Sequence, residues 1–81
     1  MKSESQIQFL KEIGQNLRAL RNAKGLSMEQ LAGDVNIEFR QLGRLERGET
    51  NATVLTLRKL ADALGVELAL LMPIARNTRE E

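Results

Sequence analysis

Three arginines set the chemistry open to this chain. Arg40, Arg44 and Arg47 recur at i, i+4 and i+7, which puts them on one stripe of a helix. Leu42 and Leu45, three apart, fall on the opposite side and mark the face that would be buried. A guanidinium is planar, permanently charged and carries a fork of donors that matches a phosphate or the O6 and N7 edge of guanine. A stripe of them on a short, leucine-backed helix suits nucleic acid. Phe39 and Gln41 flank the stripe: Phe39 is either a peripheral core residue or a contact for a thymine methyl, and Gln41 either binds phosphate or is solvated.

Catalysis finds little to work with. The chain has no histidine and no cysteine, which removes the usual general bases, nucleophiles and zinc ligands together. No pair of carboxylates stands at a spacing that suggests acid–base work. The expectation is a protein that is not an enzyme and takes no metal or cofactor. At 81 residues it is one small domain (residues 1–81), near the size at which a single core is barely sufficient. There is no secretory leader pattern and no run of membrane-spanning length, so the expected location is the cytoplasm, with no membrane partner. Net charge is only +1. A local cluster, not the total, has to attract DNA, and non-specific affinity should be modest.

The elements that position the arginines are short helices. Ile7, Leu10, Ile13, Leu17 and Leu20 step by three or four, which predicts an amphipathic helix over residues 6–24. Gly14 inside it costs roughly 1 kcal/mol in helix propensity, so its use is close approach by another helix. Gly25 ends the helix as a cap. Ser27 with Gln30 makes a capping box for a second helix whose inner face is Leu31, Ala32 and Val35. Asn36, which tolerates a left-handed backbone, turns the chain, and small Ala32 lets the next helix cross closely. Residues 28–47 thus read as a helix-turn-helix, with Glu38 capping the third helix and Gly48 stopping it. Thr53 caps a fourth helix with Val54, Leu57, Leu60, Ala61 and Leu64 inward. A fifth, over residues 67–72, ends at Pro73. The fold class is all-α, with five helices, a core spanning about residues 6–75, and frayed tails at 1–5 and 76–81.

The run from Leu68 to Ala75 is more apolar than one short helix needs. Leu68, Leu71 and Met72 can share a buried face, which leaves Leu70 and Ile74 over. They either close the core against the long first helix or form a dimer contact.

Taken together, Leu20-Arg21, Gly25-Leu26-Ser27, Gln30-Leu31-Ala32, Arg44-Leu45-Glu46-Arg47-Gly48-Glu49, Asn51, and the stretch from Leu57 to Val66 resemble the lambda-repressor-like, or XRE-type, helix-turn-helix family. The resemblance runs from about Ile13 to Met72. It implies that the helix from Phe39 to Arg47 enters the major groove, with Phe39, Arg40 and Arg44 at base edges. Ser27, Gln41, Arg47, Asn51 and Thr53 are then the candidates for the DNA backbone, although capping and turn chemistry also accounts for Ser27, Asn51 and Thr53. It also implies an ion pair between Arg21 and Glu46 that ties the first helix to the third. The chain departs from the family pattern at Asn36, usually glycine, and at Glu38, often Ser or Thr. Met28 stands for a frequent glutamine, Ala52 for a common proline, and Gly43 leaves room mid-helix for a base or sugar.

The expected function is a sequence-specific DNA-binding transcriptional regulator, a homodimer on a palindromic operator in double-stranded DNA, with no small-molecule ligand. The alternative is a protein-interaction module, antitoxin-like or regulatory, in which DNA contact is secondary.

Overall fold

Helices begin here where a short polar side chain can accept from the first free N–H groups. The computed structural model describes residues 1–74. Ser3 opens α1 (Glu4–Ala23): its hydroxyl accepts from the Gln6 N–H, and its own N–H donates to Gln6 Oε1 at 3.0 Å. Ser27 and Gln30 repeat this reciprocal box at the start of α2 (Met28–Val35), and Thr53 caps α4 (Val54–Leu64) by accepting from the Thr56 N–H. Among the described α-helices only α3 (Phe39–Glu46) starts without such a bond, since the Glu38 carboxylate does not cap it.

Two boundaries differ from the sequence reading. Residues 1–5 are not wholly a frayed tail, because the Ser3–Gln6 box starts α1 at Glu4, two residues before the expected start at Gln6. The fifth helix is a single 3₁₀ turn, Leu68–Leu71. Confined between Gly65 and Pro73, that stretch has room for i→i+3 bonds but not for a sustained α-helical ladder. The expected tail at 76–81 lies outside the described residues.

Leu17, Leu31, Leu42, Leu60, Leu64 and Leu71 are the fully buried side chains at the centre. They come from all four helices and the 3₁₀ turn, so no element is dispensable to the core. Leu20 packs only at its margin and Ile7 stays exposed, because α1 projects past the helices that it covers. The 3₁₀ turn closes on α1 and α4, and Asn16 on α1 fixes it by donating to the carbonyls of Leu71 and Met72 at 3.1 and 3.3 Å. Among the described residues there is no strand.

The turn between α2 and α3 rests on Asn36, whose φ of 60° and ψ of 46° are left-handed. That single conformation lets Ile37 N–H reach back to the Ala32 carbonyl at 3.0 Å, closing the first helix as it launches the next. Buried Ala32 sits at the crossing.

Gly14 is where α1 meets α3. A Cβ there would stand 2.5 Å from the Leu45 carbonyl oxygen and nearer still to that of Glu46. Helix propensity alone says that Gly14→Ala should gain roughly 1 kcal/mol. The packing says the reverse, since backbone rather than a flexible side chain blocks the methyl. Gly14→Ala is expected to lower stability by about 1–3 kcal/mol, read as a lower urea midpoint. A raised midpoint would mean that α1 and α3 do not approach so closely.

Candidate nucleic-acid interface

The candidate interface is the solvent side of α3. Leu42, Gly43, Leu45 and Glu46 are buried, which leaves Phe39, Arg40, Gln41, Arg44 and Arg47 outside. Eight residues are too few to be helical alone in water. What holds α3 is Leu42, with no exposed surface, set among α2 and the core. Phe39 leaves 54% of its surface in solvent, so it belongs to the outer face and not to the core margin.

Behind that face lies an ion pair. Arg21 on α1 donates from Nε to Glu46 Oε2 at 2.6 Å and from Nη2 to Oε1 at 3.1 Å, and its Nη1 donates to the Leu26 carbonyl. Both side chains are almost wholly buried. The short hydrogen bond to Glu46, more than its charge, raises the affinity of Arg21 for its proton against the desolvation that opposes it. With three bonds made, the guanidinium is locked in orientation, and it fixes the rotation of α3 about its own axis.

Arg47 differs from the other two arginines of the stripe. It is the C-cap of α3, and its Nε donates to Glu49 Oε2 at 3.0 Å. Gly48, at φ +72°, makes that pairing possible. A left-handed residue between the two reverses the chain, and Glu49 N–H bonds back to the Arg44 carbonyl at 2.9 Å. Hydrogen bonding from Arg47, with the fields of Arg47 and Arg44 behind it, holds the Glu49 carboxyl below its ordinary range. The space at Gly43 is not open to a base or sugar as expected. A Cβ there would meet Arg47 Nη1 at 3.1 Å and Met28 Cε at 3.4 Å, so the arginine and the first side chain of α2 cover it.

That contact brings the start of α2, with Ser27 before it, to the same edge as Arg47. Ser27, Asn51 and Thr53 are exposed, the first and last engaged in their helix caps. Leu70 and Ile74 stand elsewhere, on and after the 3₁₀ turn that packs on α1 and α4, and are 57% and 86% exposed. They do not close the core; Leu71 does. Sequence reasoning missed Glu49 as the partner of Arg47. The signal was present as Arg-Gly-Glu, a glycine stop that folds i+2 onto i. It also missed an apolar groove of about 800 Å³ under the first turns of α1, walled by Phe9, Ile13, Leu57 and Met72.

Among the described residues no three His, Cys, Asp or Glu side chains could hold a metal ion, and no helix is long and apolar enough to cross a membrane. The helix-turn-helix family model HTH_3 matches residues 17–71, which is most of the chain. The chain belongs to this family. The helix-turn-helix chain is 45% identical over 56 residues to an uncharacterized HTH-type transcriptional regulator, y4dJ, of Sinorhizobium fredii, covering 69% of its own length and 73% of the relative's. It is 41% identical over 64 residues to the control protein C.SmaI of Serratia marcescens, covering 78% and 76%. Among solved structures it is similar to the restriction-modification controller protein C.AhdI of Aeromonas hydrophila, with a TM-score of 0.76 and 43% identity over 78% of this chain and 96% of that one. These relatives are transcription regulators and controllers, not enzymes.

The ion pair generates a test. Glu46→Ala strands a buried guanidinium and is expected to cost roughly 3–5 kcal/mol, whereas Arg21→Met combined with Glu46→Leu should recover most of that loss in thermal melts. A single mutant as stable as the parent would mean that solvent, not Glu46, satisfies Arg21.

Proposed function

We propose that this helix-turn-helix protein regulates transcription in the cytoplasm by binding double-stranded DNA, with α3 in the major groove. Phe39, Arg40 and Arg44 contact base edges; Ser27, Gln41, Arg47, Asn51 and Thr53 contact the backbone. The observation that carries the reading is the form of α3. It is a short helix locked from behind by Leu42 and the Arg21–Glu46 pair, with the side chains of Arg40 and Arg44 exposed on its outer face and making no hydrogen bond among the described residues. A rigid presentation of this kind lets a guanidinium donate two parallel bonds to guanine O6 and N7.

The functional unit is a homodimer on a two-fold symmetric operator. One domain of this size touches few phosphates, and pairing two half-sites supplies the rest. Leu70 and Ile74 are its contact, supported by their exposure on and after the 3₁₀ turn that packs on α1 and α4. A second reading, a protein-interaction module with weak DNA contact, draws on the carboxylates of Glu38 and Glu49 beside the same face, which weaken its field.

Arg44→Ala is expected to cost about 1–3 kcal/mol on the true operator and to relax preference at one base pair per half-site. Arg44→Lys keeps the charge without the fork, so it should lose the preference while keeping most of the salt dependence. Gel shifts against operators chosen from a random duplex pool measure both. Binding unchanged by Arg40→Ala and by Arg44→Ala would favour the interaction module.

Charging Leu70 and Ile74 together should give a folded monomer with weakened operator binding in sedimentation and gel-shift experiments. An unmutated protein that stays monomeric at high micromolar concentration, with and without operator, would remove the dimer.

A further inference from the structure

The side chains of Arg40 and Arg44 make no hydrogen bond among the described residues, whereas Arg47, on the same stripe, is already occupied. Its Nε is bound to Glu49, and its Nη1 lies where a side chain on residue 43 would otherwise stand. Gly43 thus acts as a shelf: without a Cβ there, the guanidinium can lie along the helix surface beside Met28. A guanidinium has five N–H donors, and the bond to Glu49 uses only the Nε–H, leaving the four Nη N–H donors out of that pairing. The pair is also open to solvent, with more than half of each side chain exposed. An exposed pair of this kind contributes little to folding. It can therefore be exchanged without disturbing the fold.

We infer that Glu49 is an internal stand-in for a DNA phosphate. In the free protein it holds Arg47 on the Gly43 shelf, and on binding a phosphate oxygen takes its place, so Glu49 attenuates affinity for every sequence alike. The inference rests on the reading of α3 as a DNA-binding helix, and adds to it a residue that sets strength without setting specificity. Two features favour the exchange chemically. Carboxylate and phosphate are both oxyanions that fit the same guanidinium donors. The displaced carboxylate also stays in place next to the backbone, on a turn fixed by the Glu49 N–H bond to Arg44, and its repulsion opposes the complex.

The test is a double-mutant cycle on the full chain with Glu49→Gln, Arg47→Ala and the combination, titrated against both an operator duplex and a random duplex. Glu49→Gln should tighten binding to both by the same factor, about three- to tenfold at low salt, and steepen the salt dependence by up to about one phosphate. In the Arg47→Ala background the gain should fall by at least half, because the competition for Arg47 is gone. An equal gain in both backgrounds would overturn the inference and make Glu49 an ordinary repulsive charge. A gain confined to the operator would also overturn it, since a stand-in for phosphate carries no base preference. Slow water exchange of the Arg47 Nε–H in the free protein, lost in Glu49→Gln, is the matching signature without DNA. If that signature is present but the parent protein binds neither duplex, the DNA reading of α3 has failed and not the pairing. If the signature is absent, the pairing has failed whatever the binding data show.

Discussion

Everything on the outer face depends on how closely α1 can lie against α3. The approach needs two things at once: no side chain at residue 14, and a counter-charge for Arg21 once it is buried. Glycine supplies the first at a cost in helix propensity. Glu46, two residues before Gly48 and facing inward, supplies the second. Burying an ion pair gains little stability over an apolar pair of the same shape. What it adds is direction. Apolar packing by Leu42 and Leu45 would tolerate some rotation of α3, but a guanidinium bound to both carboxylate oxygens and to the Leu26 carbonyl does not.

The same face carries its own moderation. Three arginines would be a strong local cation on a chain of net charge +1, yet one of them is paired and another carboxylate, Glu38, stands at the helix start without capping it. If α3 is the DNA-reading helix proposed above, binding strength and base selection reside in different residues. Arg40 and Arg44 would then face the bases, while the Arg47–Glu49 pair would set how strongly the backbone attracts the helix. Modest total attraction is an asset for a protein that must leave the wrong sequences quickly.

Features governed by residues three or four apart could be read from the sequence. The Ser27–Gln30 box and the Thr53 cap are local hydrogen bonds, and Asn36 is one of few residues able to turn left-handed. The burial of Leu17, Leu31, Leu42 and Leu60 followed from spacing alone. What escaped depends on geometry that spacing does not encode. Gly43 looked like open room because the arginine four residues on could not be seen to fold back over it. The fifth helix is in place but is 3₁₀ and not α, which its apolar residues could not tell, since they imply burial and not helix type. The Arg21–Glu46 pair spans 25 residues. It was reached through resemblance, and no local pattern would have found it.

The early start of α1 has a consequence for how the molecule opens. Its first turns, from Glu4 to about Phe9, lie on the rim of a groove and bury little, while its centre is pinned at Ile13, Gly14 and Leu17. A helical segment that short has no stability of its own and persists because it continues an anchored helix and is capped by Ser3. One helix therefore spans two regimes of amide hydrogen exchange. Amides near the N-terminus are expected to exchange through local fraying, and those around Leu17 only when the core comes apart. Protection would rise along a single unbroken rod, with no joint in the backbone to mark where one regime gives way to the other.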